Sequence, residues 1–85
     1  MSERSQKTDI LRALGQAVRE RREQLSLTQA ELASATGVKA QRISALERGR
    51  INIRYELLLA LADSLDVQSA TLVMRAEELA REDPR

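Results

Sequence analysis

The stretch TQAELASATGVKAQRISALERG, residues 28–49, has room for two short helices that are separated by a single glycine. Thr28 precedes Glu31 by three residues, which is the spacing of a capping box, so the first helix is expected to begin at Gln29. Gly37 adopts positive φ without steric cost and is expected to end that helix. The second helix is expected over about residues 39–48, with Gly49 closing it.

These two helices also carry what a helix-turn-helix requires. The helices must cross closely, and Ala33 is a small residue at the crossing point. Gly37 supplies the turn. The shared apolar core would consist of Leu32, Val38, Ile43 and Leu46. A plain αα-hairpin that serves only as core is the alternative, but the coincidence of all these positions with a capping box favours the helix-turn-helix.

The rest of the chain is also predicted to be helical. Further helices are expected over about residues 8–24, 55–65 and 69–81, the first capped by Thr8 or Asp9 and the last fraying at Pro84. On the second of these, Tyr55 is expected to face inward with Leu58 and Leu61. No segment alternates as a strand would. The prediction is an all-α protein of five helices, with a flexible N-terminus over residues 1–7 and one domain over residues 8–82.

Composition argues against an enzyme or a metal protein. The chain has no cysteine and no histidine, which removes disulfides, thiolate metal sites and the commonest general base. Its carboxylate clusters, Glu77 with Glu78 and Asp63 with Asp66, are expected to be solvated surface, so neither a cofactor nor a metal is expected. No apolar run approaches the roughly 20 residues of a membrane span, and the N-terminus is not signal-like, so a cytoplasmic protein is expected.

The net charge of +1 hides an uneven distribution. Residues 1–54 carry eleven Lys and Arg against six Asp and Glu, whereas residues 55–85 carry three against seven. A polyanion would therefore meet the first part of the chain, although ordinary surface charge is an alternative explanation. Tyr55 is the one aromatic residue, which disfavours the stacking used by single-strand binders.

The segments TQAELASATGV, RISALERGRIN and LLLALADSLDV resemble the XRE, or lambda-repressor-like, family of regulators, with similarity over about residues 14–73. The resemblance implies a compact five-helix lambda-repressor-like DNA-binding domain. It also implies a scaffold ion pair between Arg22 and Glu47. Two positions depart from the family pattern: Ile53 stands where proline is common, and Asp66 where glycine is common. Aspartate tolerates the left-handed conformation, so the turn at Asp66, after the helix over residues 55–65, is expected to form as in the family.

In this architecture the second helix of the motif enters the major groove, which explains its polar outer face. Gln41 is suited to adenine and Arg42 to guanine or a phosphate. The expected base contacts are Lys39, Ala40, Gln41, Arg42, Ser44 and Ala45. The expected phosphate contacts are Gln29, Arg48, Arg50 and Asn52. Gln29 lies at a helix N-terminus, and it matches a glutamine with which family members contact the DNA backbone.

The resemblance further implies a homodimer. The helix over residues 69–81 is the expected dimerisation element, and the expected interface residues are Leu57, Leu59, Leu72, Val73, Ala76 and Leu79. The alternative is that this helix closes the core of the monomer. The predicted function is sequence-specific binding of double-stranded DNA at a palindromic operator, as in phage repressors or restriction–modification controllers. An antitoxin that binds both DNA and a toxin is a second possibility, and an adaptor that no longer binds DNA is a third.

Overall fold

The capping box predicted at the start of the second helix is present. The backbone N–H of Glu31 donates to Oγ1 of Thr28 at 3.0 Å, and the backbone N–H of Thr28 donates to Oε1 of Glu31 at 2.8 Å. The backbone N–H of Thr28, and then its hydroxyl, lower the pKa of the Glu31 carboxyl. Gly37, at φ 77°, ends the helix as expected, with its N–H bonded to the carbonyl of Ala33 at 2.9 Å.

The computed structural model describes residues 3–82, and their side chains from residue 9 onward. Over this range it contains five α-helices and no strand, which confirms the all-α prediction. They are α1 (Glu3–Gln24), α2 (Gln29–Thr36), α3 (Ala40–Glu47), α4 (Tyr55–Ser64) and α5 (Ser69–Glu82).

Helix α1 is longer than predicted. It begins at Glu3, so the start predicted at Thr8 or Asp9 is wrong. No glycine or proline precedes those residues, and a potential capping side chain does not stop a helix that can extend through it. The flexibility of residues 1–7 stays a prediction; residues 1 and 2, and the fraying predicted at Pro84, lie outside the described residues.

The core lies where all five helices meet. Leu32, Ile43 and Leu46 of the motif are completely buried, and Val38 is half-buried against them, as predicted. The other completely buried large side chains are Val18, Leu61 and Leu65. Helices α1 and α5 pack against each other through a second, smaller cluster of Ala13, Ala17 and Ala76. The two clusters leave the outer face of α3 outside the core.

One residue of the predicted inward face of α4 lies outside the core. Tyr55 is 69% exposed, because it is the first residue of the helix and lies far along it from the buried Leu61 and Leu65. The turn that follows α4 forms as predicted, with Asp66 at φ 55°. Arg21 of α1 stabilises this turn, since its Nε donates to the carbonyl oxygen of Leu65 at 2.9 Å.

Two glycines allow the C-terminal end of α3 to lie against the backbone of α1. A Cβ at Gly15 of α1 would overlap the carbonyl oxygen of Leu46 and lie 2.8 Å from that of Glu47. A Cβ at Gly49 would lie 2.6 Å from the Cα of Arg12, and Gly49 also has φ 73°. The position of α3 on α1 is therefore set by direct contact between backbones. No local sequence pattern identifies Gly15 as this contact.

Replacing Gly15 by alanine is expected to lower the free energy of unfolding by about 1–3 kcal/mol, because the new Cβ would overlap backbone atoms that no rotamer change can move. Helix propensity alone predicts the opposite sign, since alanine is favoured over glycine by about 1 kcal/mol. Urea unfolding measures the difference. The neighbouring exposed residue provides a control: Gln16→Ala should change stability by less than about 0.5 kcal/mol. A Gly15→Ala protein as stable as its parent would contradict the close approach.

Candidate nucleic-acid interface

A buried ion pair joins α1 to the C-terminal end of α3. Nε and Nη2 of Arg22 donate to Oε2 and Oε1 of Glu47 at 2.7 and 3.0 Å. Nη1 of Arg22 donates to the carbonyl oxygen of Leu27 at 2.8 Å, so all three guanidinium nitrogens are bonded. Arg22 is 9% exposed and Glu47 is 7% exposed. The hydrogen bonds to Glu47 raise the pKa of Arg22, against the opposing effect of burial. The pair that the resemblance implied is thus present in the fold.

Gln29 extends this ion pair to the start of α2. Its Nε2 donates to Oε1 of Glu47 at 3.0 Å, so one carboxylate oxygen accepts from both α1 and α2. Gln29 is the first residue of α2 and is half-buried. One amide N–H is used inside the fold, and the other remains for an external acceptor. The contact between Gln29 and Glu47 is not predictable from the sequence, because residues 18 positions apart carry no local signal of contact.

The start of α3 presents a polar surface to solvent. Lys39, Ala40, Gln41 and Arg42 are all exposed, whereas Ile43 on the opposite face is completely buried. Lys39 is the N-cap residue and makes no capping hydrogen bond with its side chain. Across the part of the chain that the structure describes, no hydrogen bond or ion pair holds the side chains of Lys39, Gln41 and Arg42. This surface belongs to a single exposed helix face, which is narrow enough to enter the major groove of a DNA duplex.

The other two predicted base contacts lie deeper. Ser44 and Ala45 are half-buried, because they follow α3 toward the side that packs on the core. Of the predicted phosphate contacts, Arg48 and Arg50 are exposed, as is Asn52 in the loop after α3. Nε of Arg48 donates to the carbonyl oxygen of Ser44 at 3.3 Å, and the other two guanidinium nitrogens donate to no described residue. Arg48 and Arg50 therefore place two positive charges at and just after the C-terminal end of α3.

The predicted dimer interface needs correction at two positions. Leu72 and Ala76 are 2% and 8% exposed and pack inside the subunit, so they are not available to a second copy. An apolar stripe along a helix does not reveal whether it packs within its own chain or against another chain. Here the stripe of α5 packs against α1 of the same chain. Leu57 and Leu79 are half-buried against the same clusters. Of the predicted interface, Leu59 and Val73 remain exposed.

Other kinds of site find little support in the described residues. No group of three or more Asp and Glu residues between residues 3 and 82 is placed to hold a metal ion. No single helix in this range is long and apolar enough to cross a membrane. Helices α4 and α5 reach the required length and apolar composition only when they are joined, and they are bent by 101° at their junction.

A comparison with family models matches residues 18–72 to a helix-turn-helix family. Among solved structures, the clp gene regulator ClgR from Corynebacterium glutamicum is 33% identical over 86% of this chain and 78% of its own, with a TM-score of 0.84. A second structure of that regulator is 35% identical over 81% of this chain and 88% of its own, with a TM-score of 0.79.

The restriction–modification controller protein C.AhdI from Aeromonas hydrophila is similar as well. It is 34% identical over 73% of this chain and 94% of its own, with a TM-score of 0.72. No curated protein sequence gave a significant match. The two solved relatives are thus a gene regulator and a controller protein.

Replacing Glu47 by alanine is expected to lower the free energy of unfolding by about 3–5 kcal/mol, because the buried guanidinium of Arg22 loses its carboxylate partner. Thermal or urea unfolding measures the loss. Glu77 is exposed on α5 and forms no ion pair with any described residue, so Glu77→Ala is the matched control and should have almost no effect. A melting temperature of the Glu47 variant equal to that of the control would contradict the contribution of the ion pair.

Proposed function

Because this chain belongs to the XRE, or lambda-repressor-like, family of helix-turn-helix transcription regulators, we propose that it binds a two-fold symmetric operator in double-stranded DNA as a homodimer. The observation that carries the proposal is the solvent-exposed face at the start of α3. Lys39, Gln41 and Arg42 are unpartnered within the described chain, while the opposite face of the same helix is buried. A polar face that the protein leaves open is suited to base edges.

Each side chain on this face has a definite chemical capacity. The amide of Gln41 is able to donate to and accept from adenine N6 and N7, and the guanidinium of Arg42 is able to donate twice to guanine O6 and N7. Lys39 and the small side chain of Ala40 lie beside them and are proposed to contact the same groove. The half-buried Ser44 and Ala45 would contact bases only if the helix lies deep in the groove.

The proposed phosphate contacts are Gln29 and three residues at and after the end of α3. Gln29 begins α2, where helix geometry favours an anion, and its amide is already oriented by Glu47. Arg48, Arg50 and Asn52 are exposed at the end of α3 and in the loop that follows. Contacts of this kind fix the position of a protein on the duplex and contribute most of the affinity that depends on salt.

The proposed dimer surface consists of the exposed apolar side chains of α4 and α5. Leu59 and Val73 are 42% and 37% exposed, and Met74 next to Val73 is 65% exposed. A single helix-turn-helix reads only a few base pairs, so a second copy one helical turn away would supply the missing specificity. This surface replaces the interface expected from sequence, from which Leu72 and Ala76 have been removed.

The solved relatives bear on which kind of regulator this is. One is a restriction–modification controller and another a clp gene regulator, and both support a regulator that acts through DNA. They do not favour the antitoxin alternative, which would require a toxin partner.

Selection of bound duplexes from a random pool is expected to yield a palindrome with half-sites about 10 bp apart. The Gln41→Ala variant should relax the preference at one position in each half-site, with a loss of about 1–3 kcal/mol there, because one two-pronged contact disappears. Arg50→Ala should instead weaken all sites alike, because a phosphate contact carries no sequence information. Retention of the full preference by Gln41→Ala would contradict its base contact, and selection of no sequence at all would contradict the proposed function.

Sedimentation of the free protein tests the dimer. The Val73→Glu variant is expected to sediment as a monomer at concentrations where the parent is a dimer, because a carboxylate would be buried without a partner at the contact. Ala35 is exposed on α2, outside the proposed surface of α4 and α5, so Ala35→Glu is the control and should remain dimeric. A parent protein that stays monomeric at high micromolar concentration would contradict the homodimer, and an unchanged Val73→Glu dimer would contradict this surface.

A further inference from the structure

A shallow hollow lies between the exposed side of α1 and the C-terminal end of α3, outside the helix-turn-helix itself. Arg12 and Arg19 line it from α1, and Arg48 lines it from the end of α3. Three carboxylates, those of Glu20, Glu23 and Glu47, lie at its edges. By simple count the hollow would be neutral, so its electrostatic character depends on which of these groups are already paired.

All three carboxylates are paired. Glu20 accepts from Arg75 of α5 at 2.8 and 3.2 Å, and Glu47 accepts from Arg22 in the buried ion pair. The partners of these two carboxylates, Arg75 and Arg22, are not among the residues that line the hollow. The third carboxylate, Glu23, is 3.5 Å from Nε of Arg19, which is itself one of the lining residues.

Two of the lining arginines therefore have no carboxylate partner among the described residues. Arg12 is exposed and makes no hydrogen bond or ion pair within that part of the chain. Arg48 donates only to the carbonyl oxygen of Ser44, in a hydrogen bond of 3.3 Å. The hollow thus presents two guanidinium groups without a carboxylate partner, and a ligand that paired with both would have to be an anion.

The backbone contact at Gly49 places Arg12 beside the proposed DNA-binding surface. The Cα of Arg12 is 2.6 Å from the position that a Cβ of Gly49 would occupy. Gly49 lies between Arg48 and Arg50, two of the proposed phosphate contacts. The hollow is also lined by Glu47, whose carboxylate accepts from the side-chain amide of Gln29. The hollow therefore lies next to the proposed phosphate contacts at both Gln29 and Arg48.

We propose that Arg12 of α1 joins Arg48 in a phosphate-binding surface, which extends the proposed DNA contacts from the end of α3 onto α1. The ligand is a phosphate of double-stranded DNA, and the contact is independent of sequence. This inference rests on the proposed function, because it assumes that α3 lies in the major groove. It adds α1 to the elements that touch DNA and assigns a role to Arg12, which neither the motif nor the sequence analysis identified.

The test compares Arg12→Gln with Arg81→Gln. Both arginines are exposed, and neither is paired among the described residues, but Arg81 lies on α5 away from the hollow. Binding to a duplex of about 30 bp, long enough for two half-sites one turn apart, is measured by fluorescence anisotropy over a series of salt concentrations. Arg12→Gln should reduce the slope of log K against log salt by about 0.9 for each bound subunit. Over a fourfold rise in salt, the loss of affinity should then be about threefold smaller per subunit than for the parent.

The parent, the control and Arg50→Gln identify which idea fails. If the parent shows no salt-dependent binding, both the proposed function and this inference are overturned. If the parent binds and Arg50→Gln reduces the slope, but Arg12→Gln behaves as Arg81→Gln does, only the role of Arg12 is overturned. An equal reduction in Arg12→Gln and Arg81→Gln would also overturn it, because the effect would then reflect net charge rather than a contact. Circular dichroism of each variant verifies that the helices remain formed.

Discussion

The carboxylate of Glu47 connects the three helices on which the candidate site depends. It accepts from Arg22 of α1 and from Gln29 of α2, while Glu47 itself ends α3. No buried side-chain nitrogen or oxygen is left without a hydrogen bond in the described part of the chain, so this charge is fully compensated where it lies. An ion pair of this kind contributes little net stability relative to apolar packing, but loss of one partner is costly. Its effect is to determine how the helices are placed.

Placement matters because short helices of this length are not stable alone. Both α2 and α3 have eight residues, and neither would hold a fixed orientation without tertiary contacts. The buried Ile43 and Leu46 hold one face of α3, the glycine contacts with α1 fix its distance, and the ion pair fixes its end. The exposed face is then positioned by contacts that lie entirely behind it. This arrangement suits a surface that must meet a rigid duplex without rearranging.

Local signals made the motif predictable, whereas contacts distant in sequence did not. The capping box at Thr28 and the turn at Gly37 depend on residues within a few positions of each other, and both were predicted with the correct bounds. The role of Gly15 depends on the carbonyl oxygens of Leu46 and Glu47, more than thirty positions away, and no sequence pattern indicates it. The burial of Leu72 and Ala76 was misjudged for the same reason: their apolar stripe was visible, but its partner in α1 was not. The N-terminal extension of α1 is not evident from the sequence, because Thr8 and Asp9 are possible caps through which a helix can also continue.

The open face at the start of α3 has a consequence for how this protein could diversify. Lys39, Gln41 and Arg42 contribute nothing to the core, and the contacts that hold α3 belong to other residues of the same helix. Under the proposed function, substitution at these three positions would alter the DNA sequence that is recognised while leaving the scaffold intact. Binding preference and folding would then be carried by separate sets of side chains in and just before a helix of eight residues. Copies of a gene for such a protein could acquire new target sites through few changes, without first having to regain a stable fold.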